Sequence, residues 1–559
     1  MVMPKGGEDM KPKSEAEGMV FQVWKDRAPA RTFSAGLEDY AGRVFVPSEE
    51  NIGGMLEMLR NAKAQAADEL DLAYAKNLEL GLVFEEPYQT PDEGLWAYFR
   101  HLVTEGPVPA HLISLTDSIA EALDAAKDRL AKEYWPAEVL ISVCGKCDGL
   151  TRMVDTVKAE SQDPTLTAKL DGLEKKVAEY RSMFEVEGIK ECDFEEVYPI
   201  LQDIGGDLGR KDIYPRIMQE RYDFPETPGE FARDAMGWLE EELPILNATR
   251  ESLADRYGCD DSTETVEKET ETRRAIKKSE ILDYVNGFRE RITPLMNERL
   301  VRITPNYETR LMETPPYLVS FIPTAAMSTF GELSDRPFNI FFVSTDEKRS
   351  PSTGSPMLFQ TIVHEEFGHC VNYSNTTTRF AANPGLMEGL HTTFSLAASD
   401  GISFFRELES LNLLNELAGK ESLAPAEEKF MRMVRKYEDF ETWLLEVKFE
   451  VYKWRIVRFL RAISDSNINM GKQSLTDFVE WAHGKTGLRK KTIFNQIFIF
   501  QSTVGYAPVY SVVGQSLRRI QESALEAGKD VVDFNTYACS LGFPPRQMWE
   551  QKLRDWIAA

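Results

Sequence analysis

Several things are scarce in this chain. Six cysteines in 559 residues, at 144, 147, 192, 259, 370 and 539, are too scattered to build a disulfide framework. The opening stretch MVMPKGGEDMKPKSEAEG has no apolar leader, which predicts a disordered lead-in over residues 1–18, a cytoplasmic protein and reduced thiols. No apolar run reaches the ~20 residues a transmembrane helix needs. Basic residues are outnumbered, 65 Lys and Arg against 91 Asp and Glu, for a net charge of −26. Phosphate backbones and anionic membranes are bound by clustered Lys and Arg, so neither nucleic acid nor membrane is expected as a partner. CGKC at 144–147 is half of a four-cysteine zinc site or a redox pair, but no second C-x-x-C completes it. It reads as structural.

What is present is a soluble composition, 42% hydrophobic and 28% charged, in a chain long enough for one large domain or two to three ordinary ones. Apolar residues recur at helical intervals over 50–80, 111–135, 163–184 and 227–258. Asp163-Pro164 marks a helix start, and Pro244 is expected to kink or divide the last of these helices. Residues 259–280 carry few large apolar side chains and read as a surface connection or an exposed helix start. Only 317–345 breaks the helical pattern, with two β-rich runs around a polar stretch. A short sheet edge there could take an extended peptide as an added strand. The expected fold is therefore mainly α. A helical N-terminal part spans 19–258, a polar connection 259–280, and a helical catalytic part with the metal site 281–559. A small β-hairpin or sheet lies beside the catalytic helix.

That helix holds the most informative segment, HEEFGHC at 364–370. Ser355 as N-cap, Pro356 at the first position and apolar residues from Met357 to Phe367 predict a helix over 355–375. The zinc-peptidase signature places two histidines four apart on one helix face. Here His364 and His369 are five apart. In a regular α-helix that separates them by about 140° around the axis, against about 40° for a spacing of four. A single wide π-type turn would return both to one face, and such turns favour functional sites. Gly368, inside the interval, makes distortion inexpensive. The chain has only six histidines, and three fall within 364–391. The expectation is a zinc site with His364 and His369 as ligands.

A catalytic zinc needs a third protein ligand and an open position. Downstream, NPGLMEGLHTTF suggests a helix opened by Pro384-Gly385, with Glu388 and His391 three apart on one face. Glu388 is the expected third ligand. His391 is a supporting hydrogen-bond partner, a proton donor to an oxyanion, or a substitute ligand. Glu365, beside the first ligand, is the expected general base. Glu366 diverges from it by about 100° around the helix, and Cys370 reads as a core residue.

These segments resemble the bacterial domain-of-unknown-function family 885, helical proteins of zinc-peptidase type. Its motif runs H-E-x-x-P-G-H-H, then E-G-W-A-L-Y, where this chain has HEEFGHC and MEGLHTTF. The segments 314–327, 336–343, 461–470, 503–520 and 533–553 follow in the family's order, and 214–243 fits upstream. The chain departs in lacking the motif proline, in its H-E-x-x-G-H spacing (similar to dipeptidyl peptidase III), and in Leu390, His391 and Asn469. The resemblance implies an all-helical glutamate-ligand metallopeptidase fold, with His364, His369 and Glu388 as ligands and Glu365 as base. It also implies that Tyr506 or Tyr510 donates a hydrogen bond to the oxyanion. The functional expectation is a zinc-dependent hydrolase, a peptidase cleaving a short peptide or small amide substrate. A carboxypeptidase-like action would need a cation, for which Arg461, Arg518 and Arg519 are available. The alternatives are a non-peptide amide hydrolase with the same centre, or a helical binding protein with a structural or vestigial metal site.

Overall fold

Local signals set the helix ends. Ser14 accepts a hydrogen bond from the Glu17 amide at 2.9 Å and starts the helix Glu15–Arg27. Asp163 accepts from the Thr165 and Leu166 amides at 2.8 and 3.0 Å, with Pro164 at the first helical position. Thr227 and Glu230 form a reciprocal capping box at the head of Pro228–Tyr257, which Gly258 ends in the left-handed conformation at φ 68°. The computed structural model describes residues 12–189, 192–315, 322, 325–334, 336–345, 354–380, 387–390, 392–437 and 439–559. The protein is mainly α with one small sheet.

Two expectations are revised and a third is narrowed. The lead-in expected over 1–18 is already helical from Glu15, and residues 1–11 lie outside the described residues. Pro228–Tyr257 is one helix that runs past Pro244 undivided. The stretch 259–280, read as a surface connection or an exposed helix start, contains a helix, Thr263–Arg274, capped by Ser262, in line with the second of these. Its Glu267 pairs with Lys453 and Arg489, and Arg274 pairs with Glu446. Ion pairs to Phe440–Asn469 and to Arg489, with Val266 as its single buried apolar side chain, hold it in place, which is why its sequence resembles a linker.

The sheet joins two cores. β1 (Thr309–Glu313), β2 (Ala325–Phe330) and β3 (Phe338–Val343) lie in the order β1-β3-β2. β3 runs parallel to β1 and antiparallel to β2. Its sequence FNIFFV is nearly continuous in apolar residues, as a strand covered on both faces requires. Ile340 and Phe342 join the core of N-terminal helices that holds Leu95, Phe99 and Leu150. Phe341 and Val343 join the opposite core, with Phe359, Ile362 and Val363 of the histidine helix. Polar Asn339 donates to the Cys370 carbonyl at 3.3 Å and to Ser374 Oγ at 2.9 Å, tying the strand to that helix.

Phe342 packs edge-on against Phe99 at 5.3 Å between ring centroids and is fully buried. Phe342→Ala should cost about 3–5 kcal/mol, read as a fall in the urea midpoint with helical circular dichroism unchanged before the transition.

Candidate metal centre

Residues 355–380 form one continuous helical rod in three stretches. An α-helical entry, Ser355–Ile362, leads into a π-helical stretch, Val363–Cys370, and an α-helical exit, Val371–Phe380. Gly354 serves as N-cap, one residue before the expected Ser355. The five-residue interval between the histidines lies wholly within the wide turns. The His364 and His369 rings stand 5.0 Å apart between centroids and nearly perpendicular, at 81°.

The third group is Asp400. One ligand atom each from His364, His369 and Asp400 fit within 4.8 Å of one another, and all three residues are buried. Asp400 lies in the helix Thr393–Gly419, which presses against the widened turn. The contact is close because Gly368 has no side chain. A Cβ there would stand 2.2 Å from Ser403 Oγ and 2.6 Å from Ser403 Cα. Gly368 therefore serves close approach between helices, in addition to any ease of distortion. Gly401 is similarly tight against Val513, at 2.6 Å from a Cβ position. This draws in the segment that bears the two tyrosines.

Hydrogen bonds fix each group. His364 Nδ1 lies 2.6 Å from Glu407 Oε1, so Nδ1–H donates to the carboxylate and Nε2 keeps its lone pair for the centre. Arg458 Nη2 approaches the same Nδ1 at 3.3 Å, but two donors cannot share that contact; the hydrogen-bond partner of Arg458 is Glu407, at 2.9 Å. Gln360 also donates to Glu407, at 2.7 Å. Burial would raise the Glu407 pKa, but Arg458 and His364 outweigh it and hold the carboxyl below its ordinary range. His369 Nδ1 meets Ser399 Oγ at 2.6 Å, and its Nε2 lies 3.4 Å from Asp400 Oδ1. Burial opposes a charge on His369, but the Asp400 carboxylate overrides this and raises the imidazole pKa. The same attraction lowers that of Asp400 against its own burial.

Asp400 is only half satisfied. Oδ2 accepts from the Tyr506 hydroxyl at 2.7 Å, whereas Oδ1 is buried without a hydrogen-bond partner. Such an atom is costly to bury unless something else meets it. Two imidazole nitrogens and a carboxylate oxygen are a donor set that zinc accepts, so the residues present fit the ion. Tyr510 donates to the Tyr506 hydroxyl at 3.0 Å, and its ring lies 6.2 Å from that of His364 at an angle of 18°. Both tyrosines named from the sequence are thus at the centre.

The two glutamates of the motif part as expected. Glu366 is buried in an ion pair with Arg289 and accepts from Tyr307 at 2.9 Å. Glu365 is partly exposed and has no hydrogen bond among the described residues, yet acts electrostatically on His369.

Glu388 is not brought to the histidines. It lies in a turn rather than the expected helix. Its carboxylate accepts from Lys552 Nζ at 2.7 Å, and its carbonyl accepts from the Phe543 amide at 2.7 Å. The C-terminal segment holds it away, and the next helix begins only at Thr393. His391 lies outside the described residues. Arg518 is exposed and pairs with Glu522. Cys144 and Cys147 are buried free thiols of one helix, their pKa values raised by burial. Cys370 is buried as well.

Sequence reasoning missed Asp400, Glu407, Ser399 and Arg458. A signal existed for the first two. Asp400 and Glu407 are acids seven apart, hence on one helix face, in SLAASDGISFFRELE, where Glu409 is the only other acid.

No family model matches the chain, and no curated protein matches it. Solved structures do. A Colwellia psychrerythraea protein described as a "putative lipoprotein" aligns with a TM-score of 0.65 at 13% identity, covering 97% of this chain and 99% of its own. A Shewanella oneidensis protein, described in the same words and as of unknown function, aligns with the same figures. At that identity the likeness is one of fold, over essentially the whole chain.

Gly368→Ala should lower thermal stability, since overpacking costs about 1–3 kcal/mol. Ser403→Gly in the same chain should not restore it, because Ser403 Cα is itself within 2.6 Å. Full rescue would mean that only the side chain sets the spacing.

Proposed function

We propose that this protein is a zinc-dependent hydrolase, a peptidase acting on short peptides, with His364, His369 and Asp400 as the metal ligands. One observation carries the reading. Two histidine nitrogens and a buried carboxylate oxygen that accepts no hydrogen bond converge, and Glu365, whose carboxylate has no hydrogen bond among the described residues, stands on the same widened turn. The resemblance of the histidine segment to family 885 points the same way. A bound zinc would supply Lewis acidity, making a nearby water more acidic and polarising the substrate carbonyl.

The chain's own groups divide the remaining tasks. Glu365 takes a proton from the attacking water and passes it to the leaving nitrogen as the C–N bond breaks. Glu407 and Ser399 hold the imidazole rings in one tautomer and orientation. Tyr506 positions Asp400 through its hydroxyl. Tyr510, partly exposed, turns its hydroxyl from Tyr506 towards the oxygen on which negative charge develops. Among the described residues β2 is paired on one side only, and it lies beside the widened turn, so that edge suits an extended peptide.

Protein purified without added metal should contain close to one zinc per chain by elemental analysis. Asp400→Asn should lose it and Glu388→Gln should keep it; the reverse pattern would restore Glu388 as the ligand. Glu365→Gln should retain zinc while kcat on a short-peptide library falls by about 10²–10⁴-fold. Full zinc occupancy with no cleavage of any library member by the unmodified protein would overturn the peptidase reading.

A further inference from the structure

Among the described residues, eight arginines are buried, and seven of them hold a carboxylate. Arg461 does not. It is 9% exposed on the helix Phe440–Asn469, donates to Gln496 Oε1, and leaves Nε without a partner. Its guanidinium lies 4.4 Å from the Phe500 ring centroid and 5.4 Å from that of Tyr510. Ring faces attract a cation but do not satisfy its fork of N–H donors. Burial without an acid, with Arg458 nearby, brings its pKa down to about 10. A folded chain keeps such a group at a cost in stability unless something else meets it.

Its position supplies the reason. Arg461 and His364 both lie against the Tyr510 ring, at 5.4 and 6.2 Å, and Asp400 acts electrostatically on Arg461. The separation between guanidinium and histidine that these contacts allow is spanned by about three residues of extended chain or fewer, at roughly 3.3–3.6 Å each. A planar guanidinium with free donors matches a carboxylate in geometry and charge. In a chain of net charge −26, a buried cation left without an acid is the group best placed to select an anionic substrate.

We propose that Arg461 is the substrate-carboxylate site of this centre, and that it binds the free C-terminal carboxylate of a short peptide one to three residues beyond the bond to be cleaved. The substrate class is then peptides trimmed from the carboxyl end. This rests on the hydrolase reading above for its orientation, but the binding itself can be measured without turnover.

The test uses calorimetry on the Glu365→Gln protein, with tetra-alanine as the free acid, tetra-alanine amide, and an amide peptide carrying one glutamate. The free acid should bind about 100-fold more tightly than the plain amide. Arg461→Gln in the same background should abolish that difference by weakening only the acid, with Arg461→Lys intermediate. If the glutamate-bearing amide binds as tightly as the free acid and needs Arg461, the carboxylate comes from a side chain, and the C-terminal assignment falls. Equal binding of acid and plain amide, or equal loss of both in Arg461→Gln, overturns the site altogether. Thermal unfolding checks for a merely structural arginine. Arg461→Gln should melt at or above the unmodified protein, whereas Arg455→Gln, which strips the partner from buried Glu242, should melt lower. An Arg461→Gln protein destabilised as much as Arg455→Gln overturns the proposal. Arg461-dependent acid binding in a protein that cleaves nothing would retire the peptidase reading and leave the carboxylate site standing. Cleavage indifferent to Arg461 would do the opposite.

Discussion

Between Gly368 and Ser403 two helices meet with no room for a methyl group, and the candidate centre is assembled around that contact. The widened turn over Val363–Cys370 rotates both histidines to one side, but rotation alone provides only two nitrogens. The helix Thr393–Gly419 must come within backbone reach for Asp400 to meet His369 and for Glu407 to meet His364. Cores are packed too densely to relay such a shift gradually. A side chain at 368 or 401 would therefore displace the ligand set as a unit, together with the tyrosines that follow the second contact.

Around this seam the buried charges are nearly all balanced. Glu407 collects donors from Gln360, His364 and Arg458, and Glu366 is held by Arg289 and Tyr307. In a low-dielectric interior a charge with its partner removed is costly. Two groups near the histidines differ from these: Arg461 is buried without a carboxylate, and Asp400 Oδ1, though it faces His369 Nε2 at 3.4 Å, accepts no hydrogen bond. They are of opposite sign and lie on either hand of the tyrosine pair. That arrangement suits a site with one position for a cation and another for an anion.

Much of this architecture was legible in the chain. Helical periodicity, caps at Asp163 and Thr227, and the β-rich run before the histidines are local signals, and local geometry obeyed them. The anomalous interval between His364 and His369 pointed to a wide turn because helix geometry offers few other ways to bring both rings together. Where reasoning extended beyond one element it weakened. Glu388 stood at a plausible distance along the chain, yet Lys552 and the Phe543 amide, more than 150 residues later, hold it elsewhere. The polar stretch 259–280 looked like a linker because its helix is fastened by ion pairs, which leave no apolar periodicity to read.

The sequence by itself determined the class of fold, the helix that carries the histidines, the turn that joins them and the separation of Glu365 from Glu366. Each follows from residues close together in the chain, where backbone geometry fixes direction. Tertiary structure decided which carboxylate completes the group, which side chains orient the imidazoles, and which buried arginine goes without a carboxylate. Those choices depend on helices far apart in sequence approaching to within a few ångströms, and a residue's spacing along the chain does not encode that approach. The small residues that permit it become visible only once the helices are in contact.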